Sequence, residues 1–290
     1  MRRLIDDILV FLEANGFECT VQMRSGLDVI YTKTLDGKCP RVVLPLEITA
    51  KTQEEAEAQA KIADKVIEEL SGTGSERPIV ITEDRWHSQQ EMMKARVLAH
   101  LEVFDQVYAR NCEIRRIDKC IAAEFLATNH SYGDSSNRYR YGLFLKRHTG
   151  HIALEGSETW KYPTGTLVAV ATFSNARKWV KGEAVIRSYE WIRYASLPGL
   201  RISGGMGKLL KAFIEEVQPD DIMSYADLEW SSGEVYKTLG FVEESLKEPV
   251  MFSIDSQWKR TPVAKCPQHD DPLYLQNFGS LKYRLRLAEV

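Results

Sequence analysis

The chain has 290 residues, of which 44% are hydrophobic, 27% charged and 10% aromatic. This composition excludes a disordered or fibrous protein, and the length predicts two domains. No run of about 18 apolar residues is present, so we expect no membrane partner. The net charge of −3 divides into −6 over residues 1–109 and +3 over residues 110–290. Neither part has the strong basic excess of a non-specific nucleic-acid binder, although the second part could still carry a local basic site.

The N-terminal apolar run is interrupted by Asp6, Asp7 and Glu13, which predicts an amphipathic helix and not a signal peptide. The five cysteines include no CxxC pair. We therefore expect no disulfide framework, and we expect a cytoplasmic location.

Residues 1–107 are predicted to form one α/β domain with the order αβββαβα. The segment 52–70 opens with Thr52 and Glu55, the spacing of a capping box. Hydrophobic periodicity predicts the following elements: helices at 3–15, 52–70 and 88–104, and strands at 17–23, 27–33, 41–49 and 78–82.

Residues 108–290 are predicted to form a second, mixed-sheet α/β domain. Residues 273–278 and 281–287 alternate like a hairpin around Gly279, which predicts a C-terminal hairpin extension. The same patterns predict the remaining elements: helices at 117–128, 205–217 and 232–239, and strands at 139–147, 166–174, 184–195, within 221–230, at 241–245 and at 250–254.

A glycine-rich turn stands between a predicted strand and helix in residues 192–217, at Gly204, Gly205 and Gly207. Glycines let backbone N–H groups approach a ligand, and the start of a helix adds unpaired donors and partial positive charge. This arrangement suits a pyrophosphate, and Lys208 could add charge. A plain tight turn is the alternative.

The following stretch resembles the GNAT acyltransferase superfamily, because residues 221–241 supply a strand, a loop, a short helix and the ending Tyr236-Lys237-Thr238-Leu239-Gly240-Phe241. The family loop reads [Gln/Arg]-x-x-Gly-x-[Gly/Ala]; here Ile202 holds its first position and Arg201 comes one residue early. The resemblance implies binding of acetyl-CoA or another acyl-CoA. It assigns that role to Arg201, Ser203, Gly204, Gly205, Met206, Gly207 and Lys208.

A narrower resemblance, over residues 108–245, is to the GNAT-like domain of phage homing-endonuclease proteins. It places the protein in a mobile-element or DNA-modification context. It is carried by short matches at Asn129-His130, Thr172-Phe173, Arg193-Tyr194, Gly204-Gly205, Ser224-Tyr225-Ala226-Asp227, Trp230-Ser231 and the Leu-Gly-Phe ending.

Acyl transfer from a thioester requires a base, stabilisation of the carbonyl oxygen and an acid for the departing thiolate. The resemblance implies Tyr236 as that acid. His130 and Asp227 are candidate bases or substrate ligands. The alternative for His130 is to cap the preceding helix or fill space, and the alternative for Asp227 is to cap the following helix. Arg193, Tyr225 and Trp230 are candidate acceptor-binding residues. Arg193 could instead pair with Glu190, and the two aromatic residues could belong to the core.

The first domain resembles a PD-(D/E)xK nuclease of the Vsr-like type. Asp28 and Glu47 are predicted at adjacent strand ends, where two carboxylates could hold Mg²⁺. Thr49 stands where that family has lysine, and residues 83–86 (Glu-Asp-Arg-Trp) match its Glu-Asp-x-Trp segment. We therefore expect an inactive nuclease-like domain.

The sequence favours an acyltransferase that uses a CoA thioester and an unknown acceptor, with DNA left open as a further partner. The alternatives are a metal-dependent homing-type DNA endonuclease and a non-catalytic nucleic-acid-binding module. An intact nuclease lysine would favour the first alternative, and failure to bind either cofactor or metal would favour the second.

Overall fold

The computed structural model describes residues 3–34, 37, 40–72, 77–154, 157–181, 184–265 and 271–288. The chain divides into two compact units. The first comprises Met1–Val103, Ala226–Glu234 and Ser245–Leu281, and the second comprises Phe104–Tyr225, Val235–Glu244 and Lys282–Val290. Residues 226–234 and 245–281, which fall inside the predicted domain 108–290, thus pack with the first unit.

The described residues form seven α-helices and nineteen β-strands. The helices are α1 (Leu4–Ala14), α2 (Gln53–Ser71), α3 (Glu83–Ser88), α4 (Gln90–His100), α5 (Lys119–Asn129), α6 (Gly205–Val217) and α7 (Glu234–Thr238). The strands are β1 (Thr20–Arg24), β2 (Leu27–Lys33), β3 (Pro40–Leu46), β4 (Ile79–Thr82), β5 (Asp105–Tyr108), β6 (Cys112–Arg116), β7 (Tyr139–Leu145), β8 (Thr149–Leu154), β9 (Ser157–Tyr162), β10 (Leu167–Phe173), β11 (Arg177–Lys181), β12 (Ala184–Ser196), β13 (Leu200–Ser203), β14 (Asp221–Asp227), β15 (Val242–Lys247), β16 (Met251–Ile254), β17 (Arg260–Pro262), β18 (Leu273–Gln276) and β19 (Ser280–Arg286). None of the described helices is both long and apolar enough to cross a membrane.

The first unit contains a four-stranded sheet in the order β1-β2-β3-β4, in which only β3 and β4 are parallel. Helix α2 begins as predicted, because the Thr52 hydroxyl accepts the Glu55 N–H at 3.2 Å. The order αβββαβ is confirmed. The helix predicted over 88–104 is instead two helices, α3 and α4, separated at Gln89. Trp86 is 1% exposed, so the first of them is held by burial directly after β4.

The predicted C-terminal hairpin does not form. Strand β18 pairs with β16, which also pairs with β17, whereas β19 lies between β15 and β14 in a different sheet. The Asn277 side chain turns the chain between them by accepting N–H bonds from Val250 and Gly279. Gly279 has φ +72°, and a β-carbon there would lie 2.3 Å from the Lys247 carbonyl oxygen. The turn is therefore packed against another segment and cannot close a hairpin.

Buried charges fix the distant segments within the first unit. Arg260 bonds to Asp84, and it donates to the two Glu229 oxygens at 2.7 and 2.9 Å. Arg85 lies 2.7 Å from Glu229, and Arg96 donates to the Glu229 and Trp230 carbonyls. Burial alone would raise the pKa of Glu229, but Arg260 and Arg85 lower it to about 2. Residues from α3, 226–234 and β17 thus meet in one ion cluster.

The second unit is built on a sheet with the order β15-β19-β14-β12-β10-β7-β6, and β11 pairs with β12 off this path. Helices α5 and α6 lie on opposite faces of it, since side chains alternate along a strand. Phe125 of α5 packs in a cluster with Val170, and Phe213 of α6 stacks on Phe173 with ring centroids 3.9 Å apart. Both faces of the central strands are therefore covered.

Glu229→Gln tests the buried ion cluster. The substitution keeps the side-chain shape but leaves Arg260 and Arg85 short of one buried carboxylate. We expect the free energy of unfolding at pH 7 to fall by about 3–5 kcal/mol in urea denaturation. Because the pKa of Glu229 lies below its ordinary 4.5, its contribution is complete above that value and is lost as pH falls toward 2. The variant should lose less stability across this range than the unsubstituted protein.

The control is Glu69→Gln on α2, where the carboxylate is 50% exposed and faces Lys65 at 3.9 Å. This change should alter the free energy of unfolding by less than about 0.5 kcal/mol. Equal effects of the two substitutions would contradict a structural role for the cluster.

Candidate functional site

The central feature of the second unit is a fork between two parallel strands. β12 and β14 pair through only three residue pairs, from Ser188 with Asp221 to Glu190 with Met223. Both strands then continue, β12 to Ser196 beside β10. The two backbones therefore separate at Trp191 and Ser224. We call the opening at these two residues the strand fork.

A hydroxyl pair occupies the strand fork. The Ser224 hydroxyl lies 2.9 Å from the Trp191 carbonyl oxygen and 2.8 Å from the Tyr236 hydroxyl. A carbonyl oxygen only accepts, so the single hydrogen of Ser224 points to it and Tyr236 donates its own proton to Ser224. The Tyr236 ring is stacked on Tyr283 with centroids 5.2 Å apart. The phenol oxygen is thus held at the point where the strands part.

Burial raises the pKa of the Tyr236 hydroxyl above its ordinary value. A phenol with a raised pKa keeps its proton at neutral pH. At the strand fork Tyr236 can therefore donate a proton and cannot serve as the resting base.

A β-bulge lies beside the fork. Thr172 pairs with Arg193 and Phe173 with Trp191, which leaves Ile192 as an extra residue in β12. Bulges redirect side chains and are common next to active sites. Thr172, opposite this bulge, is fully buried, and its hydroxyl has no hydrogen-bond partner among the described residues. The bulge therefore breaks the regular ladder immediately beyond Trp191.

Arg193 ties the bulge to the turn after α5. Its guanidinium donates to the Gly133 carbonyl at 3.0 Å and to the Ile192 carbonyl at 2.9 Å. Burial lowers the pKa of Arg193 below its ordinary value, and the nearby Glu190 carboxylate opposes this shift. Glu190 also lies 3.8 Å from Arg177.

His130 stands in the same turn, where its Nδ1 accepts the Tyr132 N–H at 3.1 Å. A neutral imidazole that accepts at Nδ1 carries its proton on Nε2. In this geometry the outer nitrogen is a donor. His130 is therefore better arranged to bind an acceptor's oxygen than to remove its proton.

The glycine turn opens α6 as the sequence predicts. Gly204 is exposed with φ +76° and precedes the helix, and no side chain caps the first turn. The first intrahelical bond runs from the Lys208 N–H to the Gly204 carbonyl at 3.0 Å. The N–H groups of Gly205, Met206 and Gly207 therefore precede the helical ladder and have no acceptor within it.

Packed side chains connect this turn to the strand fork. A β-carbon on Gly205 would lie 3.1 Å from the Tyr194 hydroxyl, and one on Gly207 would lie 3.3 Å from Leu239. The Tyr194 and Trp191 rings are 6.3 Å apart, and Trp191 is 6.2 Å from Tyr236. The open helix end and the tyrosine hydroxyl thus belong to one continuous cluster of the second unit.

Other predicted residues of the loop have their own partners. The Lys208 ammonium donates to the Ala109 and Cys112 carbonyls at 2.9 and 2.5 Å. Ser203 accepts from Gln106 at 2.9 Å, and the exposed Arg201 lies over the Phe104 ring at 5.2 Å. Lys208 therefore fastens the loop to the segment before β6.

Two predicted residues lie in the first unit and take part in its ion cluster. Asp227 caps its own turn by accepting the Glu229 N–H at 3.0 Å, and its other oxygen lies 3.5 Å from Arg85. Trp230 packs beneath Arg96, whose guanidinium is 4.4 Å from the ring centroid. Tyr225 lies in the second unit and is partly buried.

The predicted magnesium site is not supported. Asp28 is bound by the Arg3 guanidinium, which also lies 3.4 Å from Glu47. Within the part of the chain that the structure describes, no group of three histidine, cysteine or acidic side chains could hold a metal ion. A cationic side chain therefore stands between the two carboxylates. Of the cysteines, Cys19, Cys112 and Cys120 are free thiols, and Cys39 and Cys266 lie outside the described residues.

Sequence reasoning missed Ser224, Trp191 and Ile192. Ser224 sits in a run of buried strand residues, and Trp191 in a strand otherwise predicted to be regular. The sequence signal for Ser224 was a polar residue inside an otherwise apolar strand. Buried polar side chains are hydrogen-bonded, so such a residue indicates a specific partner. Neither the bulge nor the fork leaves a residue pattern, because both depend on strand pairing.

No protein-family profile matches the chain, and no curated protein does. The solved structures that match are mostly GNAT acetyltransferases. The ribosomal-protein-S18-alanine N-acetyltransferase from Escherichia coli is 12% identical, with TM-score 0.33 over 62% of this chain and 96% of that one. A putative acetyltransferase from Salmonella typhimurium, solved with its cofactor acetyl-CoA, is 14% identical, with TM-score 0.35 over 62% and 96%. The histone acetyltransferase HPA2 and related acetyltransferase from Corynebacterium glutamicum is 14% identical, with TM-score 0.31 over 84% and 97%. Values this low do not assign the chain to a family.

Ser224→Ala tests the strand fork. The variant leaves the buried Trp191 carbonyl and the Tyr236 hydroxyl without their shared partner. We expect the free energy of unfolding to fall by about 1–3 kcal/mol in urea denaturation. Thr128→Ala is the matched control, because the exposed Thr128 hydroxyl donates only to the Glu124 carbonyl of its own helix. A loss no larger than that of the control would show that the hydroxyl bridge does not exist in solution.

Proposed function

We propose that the second unit is an acyltransferase that moves an acyl group from a coenzyme A thioester to an acceptor. The observation that carries this proposal is the proton-bearing Tyr236 hydroxyl in the strand fork, packed into one cluster with the open first turn of α6. An anion site for the diphosphate and a proton donor for the departing thiolate are two of the groups that acyl transfer from a CoA thioester uses.

The residues present fit the diphosphate of coenzyme A. Three consecutive N–H groups, of Gly205, Met206 and Gly207, lie ahead of the helical ladder with no side-chain cap, and the helix end is electropositive. Gly204 leaves the approach open, since its β-carbon position has only Ala109 within 4 Å. Ser203 and Arg201 flank the turn and are our candidates for further phosphate contacts.

The bound thioester would supply an activated acyl carbon and a thiolate leaving group. During transfer the bond between acceptor and acyl carbon would form as the acceptor gives up a proton, the carbon–sulfur bond would break, and the sulfur would take a proton, so that the proton count is unchanged. Tyr236 holds a proton at neutral pH, and Ser224 fixes the position of its oxygen. We assign Tyr236 as the general acid, a role that typically contributes about 10²–10⁴-fold in rate.

The acceptor side of our proposal comprises Arg193, His130 and Tyr225. Arg193, two residues beyond Trp191, joins the bulge to the turn that carries His130. Asp227 and Trp230 are left out, because their contacts belong to the ion cluster of the first unit. The endonuclease alternative is not favoured, since Arg3 binds the carboxylate on which it depends.

Gly204→Asp and Gly204→Asn form a matched pair that tests cofactor binding. Aspartate and asparagine are the non-glycine residues that best tolerate a positive φ, so both variants should fold. Only aspartate sets a negative charge beside the first-turn N–H groups. In titration calorimetry we expect the aspartate variant to bind acetyl-CoA about tenfold more weakly, which corresponds to about 1.4 kcal/mol of binding free energy. The asparagine variant should lose much less affinity.

Native mass spectrometry of freshly purified protein gives an independent measurement, because co-purified CoA would appear as a mass shift. Absence of binding by the unsubstituted protein at millimolar acetyl-CoA, or equal binding by the Asp and Asn variants, would refute the cofactor site.

Tyr236→Phe tests the chemical step. With a panel of amine acceptors, we expect the rate of CoA release from acetyl-CoA to fall by about 10²–10⁴-fold. The released CoA is measured by chromatography. The affinity for acetyl-CoA should be unchanged. Tyr31→Phe in the first unit is the control and should keep full activity. A Tyr236→Phe variant with unchanged turnover would remove Tyr236 as the acid.

A further inference from the structure

A two-stranded ribbon in the second unit is not used by the proposed acyl transfer. Strand β11 pairs only with the first residues of β12, from Arg177 opposite Ser188 to Lys181 opposite Ala184. We call these two paired segments the β11–β12 ribbon. It is one antiparallel pair about 17 Å long, attached to the strand that carries the fork.

The ribbon exposes an aromatic side chain beside positive charge. Trp179 is 43% exposed, and the Arg177 side chain is 70% exposed. Residues 175–188 contain four basic side chains and one acidic one. A large indole left in water costs hydrophobic free energy, so its exposure in a basic setting suggests a bound partner.

The two faces of the ribbon differ. Residues two apart project from the same face, so Arg177 and Trp179 share one face, and Lys178 lies on the other with Val180. Arg177 is 3.8 Å from Glu190, a long contact that leaves the guanidinium accessible. Arg187 lies opposite Lys178 in the strand pairing, and its guanidinium is already bound to Asp220 and the Gln218 carbonyl. Among the ribbon side chains that the structure describes, the accessible cation on the face of Trp179 is therefore Arg177.

From this arrangement we propose that the Arg177–Trp179 face binds single-stranded nucleic acid, with Trp179 stacked on an unpaired base and Arg177 on a neighbouring phosphate. Charge complementarity favours a polyanion over a neutral partner. A partly exposed indole favours single strands, because the bases of a duplex are already stacked on each other. The proposal does not depend on acyl transfer.

The experiment is fluorescence anisotropy with the full chain and labelled strands of about 12 nucleotides, as DNA, as RNA and as a duplex. At about 50 mM salt we expect the single strands to bind more tightly than the duplex. Trp179→Ala should weaken single-strand binding at least about tenfold and leave the salt dependence unchanged. Arg177→Ala should weaken binding and reduce the slope of log K against log salt by about 0.7.

Lys178→Ala is the matched control, since it removes the same charge from the opposite face one residue away. Trp179→Phe retains a ring and should recover most of the affinity. Thermal unfolding of each variant, with an unchanged midpoint, verifies that the ribbon is intact. Quenching of tryptophan fluorescence by the oligonucleotide should be smaller in Trp179→Phe than in the unsubstituted protein.

Several results would overturn the proposal. These are no binding of either single strand, preference for the duplex, or equal losses for Arg177→Ala and Lys178→Ala. Sedimentation provides a further test, because the exposed indole of Trp179 also suits an interface between two copies of the chain. If Trp179→Ala converts a dimer to a monomer without changing oligonucleotide affinity, the ribbon binds a second copy of the chain and not nucleic acid.

Discussion

The parallel pairing of β12 with β14 stops after three residue pairs, and the rest of the candidate site depends on that limit. If the ladder continued, the Trp191 carbonyl would bond to a backbone N–H and not to the Ser224 hydroxyl. The bulge at Ile192 lies next to this separation. Its extra residue reverses which side chains of β12 point to each face of the sheet. Trp191 therefore stacks on Phe173 on the α6 side, while Ala195 packs with the α5 cluster. Residues of β12 before and after the bulge thus pack on opposite faces of the sheet, and the strand fork lies between them.

The polar groups of this opening are few, and those of Ser224, Tyr236 and Arg193 are hydrogen-bonded. Ser224 joins a backbone carbonyl to a phenol, and Arg193 joins the bulge to the turn after α5. Buried polar groups that are satisfied in this way fix a unique geometry. The first turn of α6 differs, because its N–H groups precede the helical ladder and its N-cap residue, Gly204, provides no side-chain cap. The contrast between an ordered proton donor and an open anion site is the physical basis of the acyltransferase proposal.

The first unit is held by a different kind of interaction. Arg260, Arg85 and Arg96 converge on Glu229 and its neighbours, so residues from three separate stretches of the sequence share one buried charge cluster. Such pairs contribute little net stability compared with apolar packing, but breaking one is costly. They therefore specify which segments belong together. This explains why Asp227 and Trp230, predicted as site residues from their place near a strand end, lie in the first unit.

Most of the local structure could be predicted from the amino-acid sequence: the order αβββαβ, the capped helix α2, and the glycine turn that opens α6. Each of these depends on side-chain periodicity or on residues a few positions apart. Tyr236 and the turn residues of the candidate site were also predicted. Other features became visible in the folded chain alone: β18 and β19 lie in different sheets, residues 226–234 and 245–281 pack with the first unit, Arg3 stands beside Asp28 and Glu47, and Ser224 meets Tyr236 in the strand fork. These features arise from pairing between residues far apart in the chain. Hydrophobic patterns record which face of an element is buried but not which segment buries it.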